Sequence, residues 1–196
     1  MYEIPTQIKI NDKTYAIRNR GDFRMVLDCF NCLADEELTK EERLVGCLII
    51  FYEDLNSIDD VLKIDVEVAV EEMYKFFNCG QLESSTPVQN YKLIDWEQDS
   101  QMICSAINKV AGKEIRFEPY LHWWTFMGYY SSVGESMLST VVSIRYKMAR
   151  GKKLEKYEIE FKRENPQYFV WNSKTVEQKE ADALIKELWN SGKEVT

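Results

Sequence analysis

Few side chains in this sequence stand at spacings that support chemistry. Cys29-x-x-Cys32 has the spacing of half a zinc site or of a redox pair. It falls inside a stretch of helical periodicity, and no second Cys or His pair stands at zinc spacing. The five cysteines (Cys29, Cys32, Cys47, Cys79, Cys104) are therefore expected to be buried free thiols, with neither metal nor disulfide. His122 is the single histidine. A general base needs a partner within reach, and the neighbours of His122 are Leu121, Trp123, Trp124 and Phe126. That setting predicts a helix histidine half-buried beside tryptophans. Gly128 and Gly134 do not form a phosphate-binding loop, and neither HExxH nor a nucleophile elbow occurs. The carboxylates are spread over helical surface positions. Asp59-Asp60 reads as first-turn charge favouring a helix dipole. These observations predict a protein that is not an enzyme and carries no cofactor, catalytic residue or metal ligand.

Two constellations suggest binding instead. Residues 145–163 hold Arg145, Lys147, Arg150, Lys152, Lys153, Lys156, Lys162 and Arg163 against Glu155, Glu158 and Glu160. The segment is thus +5 in a chain of net charge −8, leaving −13 elsewhere. Three readings fit: a solvated helix face, a docking surface for an acidic partner (including the acidic part of a second copy), and a nucleic-acid contact. The last is disfavoured, because no groove-reading motif accompanies the charge. The second constellation is aromatic: Tyr120, Trp123, Trp124, Phe126, Tyr129 and Tyr130. Helical neighbours point about 100° apart, so six rings cannot all face one stripe. Some belong to the core, and others to a second layer, a partner or solvent. Tryptophan and tyrosine are favoured interface anchors. Trp123, Trp124, Tyr129, Tyr130, Arg145, Arg150, Lys152 and Lys153 are accordingly the candidate partner-binding residues.

The elements that must position these groups are mainly helical. Thr6–Ile10 and Lys13–Ile17 alternate polar and apolar residues around Asn11-Asp12, which predicts a short amino-terminal β-hairpin. Phe23, Val26, Leu27 and Phe30 fall on one helical face. Thr39 and Glu42 form a capping box before Leu44, Cys47, Leu48 and Phe51. Ser57 and Asp60 cap another start, and Val66 through Phe77 make a face stopped near Gly80. Asp95-Trp96-Glu97-Gln98 resembles a further capping box, opening a helix that ends at Gly112. Pro119 fits the first turn of the helix holding the tryptophans. Leu138, Val141, Val142, Arg145 and Met148 form the next stripe. A charged helix follows over residues 153–163, stopped by Asn165-Pro166, and a last one runs from Thr175 to Trp189. The fold class is mainly α, a helical bundle-like arrangement with the hairpin at its start. Residues 81–92 hold the punctuation of a linker. They divide residues 1–80, with hairpin and helices, from a helical region at 93–196, although the two can pack as one domain.

Hydrophobic residues make up 45% of the 196, enough for a packed core, and the pI is near 4.9. An acidic chain repels nucleic acid and anionic membranes outside any local basic patch. The amino terminus lacks a basic-then-apolar signal pattern, and the longest apolar run is about nine residues against about 20 for a membrane span. A soluble, intracellular protein is expected.

Asp95-Trp96-Glu97-Gln98-Asp99 through Ile107, followed by Tyr120-Leu121-His122-Trp123-Trp124-Thr125-Phe126, resembles the phage "gp fifteen" family. This family comes from long-tailed phages and prophages of Gram-positive bacteria. Ser143-Ile144-Arg145 and Arg150-Gly151-Lys152-Lys153 fit the same pattern. The resemblance covers most of the chain and is strongest over residues 90–165. It departs at Ala111-Gly112-Lys113-Glu114-Ile115, where many members have a Gln-Tyr-Gly-Ile-Asp-like segment. The resemblance implies no assigned enzymatic activity and a gene in the tail module, close to the tape measure gene. It further implies a tail assembly chaperone that shields the tape measure protein, working in the host cytoplasm during phage assembly. The partners implied are the tape measure protein or other tail proteins, with self-association left open and no membrane. A structural component of the virion tail is the alternative, ahead of a small nucleic-acid binder or an enzyme.

Overall fold

A computed structural model describes residues 3–81 and 91–171. Within them the order is a β-hairpin followed by eight α-helices, with three short 3-10 turns, one before the first helix, one between the fifth and sixth and one after the eighth. Strands β1 (Gln7–Ile10) and β2 (Lys13–Ala16) pair antiparallel, Ile10 opposite Lys13, around Asn11 at φ 54°. Ile8, Ile10 and Tyr15 are buried, whereas Gln7 and Lys9 are exposed. Strand periodicity of two puts the apolar residues on one face. That face packs against the rest of the chain, as a hairpin this short requires.

Helix α1 (Phe23–Ala34) starts at Asp22, whose side chain accepts from the Arg24 amide. Helix α2 (Lys40–Phe51) starts at the expected Thr39/Glu42 capping box, with both reciprocal bonds formed. The seam between α1 and α2 is where the cysteines lie. Cys29 is fully buried, with Sγ 3.8 Å from the Cys47 carbonyl, and a Cβ added at Gly46 would stand 2.8 Å from Cys32 Sγ. Small side chains let these helices approach closely. The Cys-x-x-Cys pair therefore takes part in helix packing, and burial pushes both thiols above their ordinary range (for Cys29 behind the hydrogen bond shared with Cys47). The carboxyl end of α2 has a clasp of its own. Arg18 Nη2 donates to the carbonyls of Ile49 (3.1 Å), Tyr52 (3.1 Å) and Leu55 (3.2 Å). These include carbonyls that a helix end leaves without amide partners.

Helix α3 (Ile58–Val61) is a single turn capped by Ser57, and α4 (Val66–Phe77) is capped by Asp65. Beyond α4, Gly80 adopts φ 76° and returns an amide to the Lys75 carbonyl at 2.8 Å, giving the expected stop. Helix α5 (Ser100–Ala111) ends in left-handed Gly112, also as expected. Asp95 accepts from the amides of Glu97 and Gln98, but it opens only the turn before α5. Helix α6 (Trp123–Ser131) begins four residues after Pro119, with His122 as its cap, so Pro119 is not in its first turn. In α7 (Met137–Ala149) the buried stripe is Leu138, Val141, Ile144 and Arg145, while Met148 is exposed. The charged helix α8 spans Lys156–Glu164, starting later than its charge run. Residues 82–90 of the linker and the helix expected over residues 175–189 lie outside the described residues.

One hydrophobic cluster joins Ile8 and Tyr15 of the hairpin, Phe51 and Phe76 of the first half, and Ile107, Trp123, Phe126 and Val141 of the second. None of the described helices is long and apolar enough to cross a membrane.

Candidate functional site

His122 sits where the amino-terminal segment, α1 and α6 meet. It is 2% exposed, more deeply buried than its sequence setting suggests. Its Nδ1 accepts from the Trp124 amide at 3.0 Å. Nε2 must then carry the proton, which it donates to the Pro5 carbonyl at 3.0 Å. Burial lowers its pKa, so the ring is held neutral. Beside it, Asp22 Oδ2 accepts from the Leu121 amide at 2.8 Å, and the Phe23 amide donates to the Leu121 carbonyl at 2.9 Å. Arg24 pairs with Asp22 at 3.1 Å and reaches the Glu118 carbonyl at 2.8 Å. Both ring nitrogens are committed to backbone, and both carboxylate oxygens to backbone amides and the Arg24 guanidinium. The junction closes onto Gly21, where a Cβ would meet Phe76 Cζ at 2.8 Å and His122 Nε2 at 3.0 Å.

The aromatic candidates divide. Trp123 is 1% exposed, stacks on Phe126 and meets Phe30 edge-on. Its Nε1 donates to the Phe77 carbonyl, and Trp124 Nε1 donates to the Phe76 carbonyl, each at 2.9 Å. The adjacent indoles thus serve the carboxyl end of α4, whose last carbonyls lack helical donors. Trp124, Tyr129 and Tyr130 remain partly exposed. Tyr130 lies 5.8 Å from the Trp96 ring, and burial pushes its hydroxyl upward, helped by the nearby Asp99 charge.

The basic candidates divide as well. Arg145 is 6% exposed and grips the fully buried Asp99 with two parallel bonds, Nη1 to Oδ2 at 2.5 Å and Nη2 to Oδ1 at 2.9 Å. It also donates to the carbonyls of Leu93 and Tyr168, both at 2.9 Å, and Trp171 covers it at 4.2 Å. A bidentate pair whose remaining donors are satisfied is the form in which an ion pair tolerates burial. Lys147 is tied to buried Glu158 at 2.7 Å, which holds that carboxyl below its ordinary range. Arg150, Lys152 and Lys153 stay exposed around left-handed Gly151, and among the described residues none of the three forms an ion pair. Two of them gather on Tyr146: Arg150 donates to its hydroxyl at 2.6 Å, and Lys152 stands 5.6 Å from its ring. These contacts lower the Tyr146 pKa, the Arg150 hydrogen bond first.

Of the eight candidate residues, Trp123 and Arg145 are therefore inside this chain, where no partner reaches them in the folded state. Trp124, Tyr129 and Tyr130 are half-buried, and Arg150, Lys152 and Lys153 are fully outward. The two sets are linked only loosely, through Asp99, which pairs with Arg145 and raises Tyr130. Sequence reading missed Asp99, Glu158 and Tyr146. Spacing offers no sign of the first, whose partner is 46 residues away. Tyr146 could have been found as the aromatic one turn before Arg150. Among the described residues, no group of three or more His, Cys, Asp or Glu is placed to hold a metal ion.

A family model described as "Bacteriophage Gp15 protein" matches residues 1–169. No curated protein and no solved structure matches the chain. The match takes in every described element, from the hairpin to the last helix, and with it both the His122 junction and the basic loop; the chain belongs to the bacteriophage Gp15 protein family.

Proposed function

We propose that this phage protein is a non-catalytic tail assembly protein that chaperones the tape measure protein during tail morphogenesis in the host cytoplasm. The observation that carries the non-catalytic half is the commitment of the reactive groups. His122 spends both nitrogens on backbone contacts, and the Cys29 thiol is buried in a helix seam. A general base or nucleophile must instead present a free lone pair to substrate. The binding half draws on the outward residues. A helical body presents Arg150 and Lys152 beside Tyr146, the exposed Lys153 next to them in the chain, and the half-exposed Trp124, Tyr129 and Tyr130 on α6. Aromatic anchors with a charged surround suit reversible capture of an amphipathic helix. The tail-module placement implied by the family resemblance is the ground for proposing the tape measure protein as the partner.

Affinity capture of the tape measure protein from the same gene cluster tests this. Wild-type protein is expected to retain it. Arg150→Glu/Lys152→Glu/Lys153→Glu is expected to lose at least tenfold in retention with an unchanged melting temperature. Equal retention by both would remove the basic loop from the contact surface. Abundant protein in purified virions would instead favour a structural tail component.

A further inference from the structure

The charge of this chain is divided by region. Residues 3–81 hold seventeen acidic against nine basic side chains, a net −8. Residues 91–171 hold twelve basic against ten acidic, a net +2. Each region also exposes apolar side chains within its dominant charge. On the acidic side, Ile58 (56% exposed) and Leu62 (72%) project from the turn of α3. They are four residues apart, which puts them on one face. Glu53, Asp54 and Asp59 stand within a few residues of them in the chain, all exposed, and among the described residues none of these three forms an ion pair. On the basic side, the exposed Tyr146 of α7 and Tyr157 (64% exposed) of α8 stand in the chain segment that carries Arg150, Lys152, Lys153 and Lys156. Tyr157 stands by Lys147, and Tyr146 carries Arg150 and Lys152. The cations that could have been neutralised within the chain, Arg145 and Lys147, already are, so the outward charge of this patch is a surplus.

We propose that the α3 knuckle of one copy docks on the α7–α8 basic patch of a second copy, giving head-to-tail self-association. The two patches are complementary in sign, and each has an apolar centre with a charged surround, the arrangement of protein interfaces. They are different surfaces of the same chain, so the contact is heterologous. Each copy keeps one unused patch at either end of a pair, and the assembly grows into a ring or an open string instead of stopping at a two-fold dimer. Both patches are small, which places the contact in the weak and transient class. Its electrostatic share makes it salt-sensitive. The basic loop also belongs to the surface proposed for the tape measure protein, but self-association is measured on the chain alone, so either reading can fail without the other.

The test is sedimentation velocity of the full chain over a concentration series, with two surface variants. Lys152→Gln/Lys153→Gln disables the basic patch, and Glu53→Gln/Asp59→Asn disables the acidic one, neutral side chains being used so that the two altered patches do not attract each other when the variants are mixed. Wild-type protein is expected to sediment beyond dimer as concentration rises, and to revert to monomer at about 1 M salt, where the Debye length is about 3 Å. Each variant alone is expected to associate at least tenfold more weakly. Mixed in equal amounts, the two variants are expected to form dimers and nothing larger, because each retains the one patch the other lacks. This complementation also shows that both are folded. Monomeric wild-type protein throughout the series would overturn the proposal. So would variants that associate like wild type, or a mixture that stays monomeric.

Discussion

Arg145 separates two accounts of the basic segment, and replacing it reads out which is correct. Arg145→Met removes a guanidinium that makes two bonds to Asp99 and one each to the Leu93 and Tyr168 carbonyls. The loss that matters is at Asp99, which is fully buried and among the described residues keeps only the Asp95 amide as donor to the oxygen that Nη1 held. Breaking a buried pair by removing one partner costs about 3–5 kcal/mol, against at most about 1 kcal/mol for a surface pair. For a chain of this length 1 kcal/mol shifts the melting temperature by about 2–4 °C, so a fall of roughly 10 °C is expected. Replacing both partners together, Arg145→Met with Asp99→Leu, leaves no orphan charge. It is expected to recover at least about half of the loss, a double-mutant coupling of about 2 kcal/mol or more. Urea denaturation of the two singles and the double, monitored by tryptophan fluorescence and far-ultraviolet circular dichroism, closes the cycle. An Arg145→Met loss below about 1 kcal/mol would refute the reasoning, because the pair would then behave as a solvated one. A variant of unchanged stability that lost partner binding would return Arg145 to the contact surface.

Other expectations follow from the same geometry. Gly21 and Gly112 share a left-handed backbone but not the space beside it. Gly112→Ala is expected to cost about 1–2 kcal/mol for the backbone alone, and Gly21→Ala about 1–3 kcal/mol more, because its Cβ overpacks Phe76 and His122; equal losses in chemical denaturation would contradict this. His122 has a folded pKa below its ordinary 6.5, so the unfolded chain binds the proton first and stability must fall as pH drops through about 6.5. His122→Asn, which retains a capping acceptor, should flatten the stability–pH curve between about pH 7 and 5. The Lys147–Glu158 pair acts lower on the scale: its carboxyl lies below an ordinary 4.5, so its contribution is present above about pH 4.5 and is lost only in stronger acid. Titration of the His122 ring by NMR at or above 6.5 would contradict the assignment. Arg150→Glu/Lys152→Glu/Lys153→Glu should leave the melting temperature unchanged within about 2 °C, since substitutions away from structural features usually stay within about 0.5 kcal/mol.

Local signals were readable in the sequence because local atoms satisfy them. The Thr39/Glu42 box, the Ser57 cap and the Gly112 stop are each completed within a few residues. The hairpin was readable for the same reason, its alternation matching the buried face. What sequence could not reveal was which charges cancel. Arg145 and Lys147 stand in the same basic run as Arg150 and Lys152, yet the first two are consumed by Asp99 and Glu158. Nor does spacing show that two neighbouring indoles reach the end of α4, more than 40 residues earlier. The start of α6 was misplaced because Pro119 satisfies a first-turn rule, while the tertiary contacts of His122 set the actual cap. Propensity loses to packing where several elements converge.

The most direct test of the proposed function is co-expression of this chain with the tape measure protein of its own gene cluster, followed by size-exclusion chromatography of the soluble fraction. A chaperone that shields the tape measure is expected to bring it into solution and to co-elute with it in several copies. A tape measure protein that still precipitates while this chain elutes alone would contradict that role.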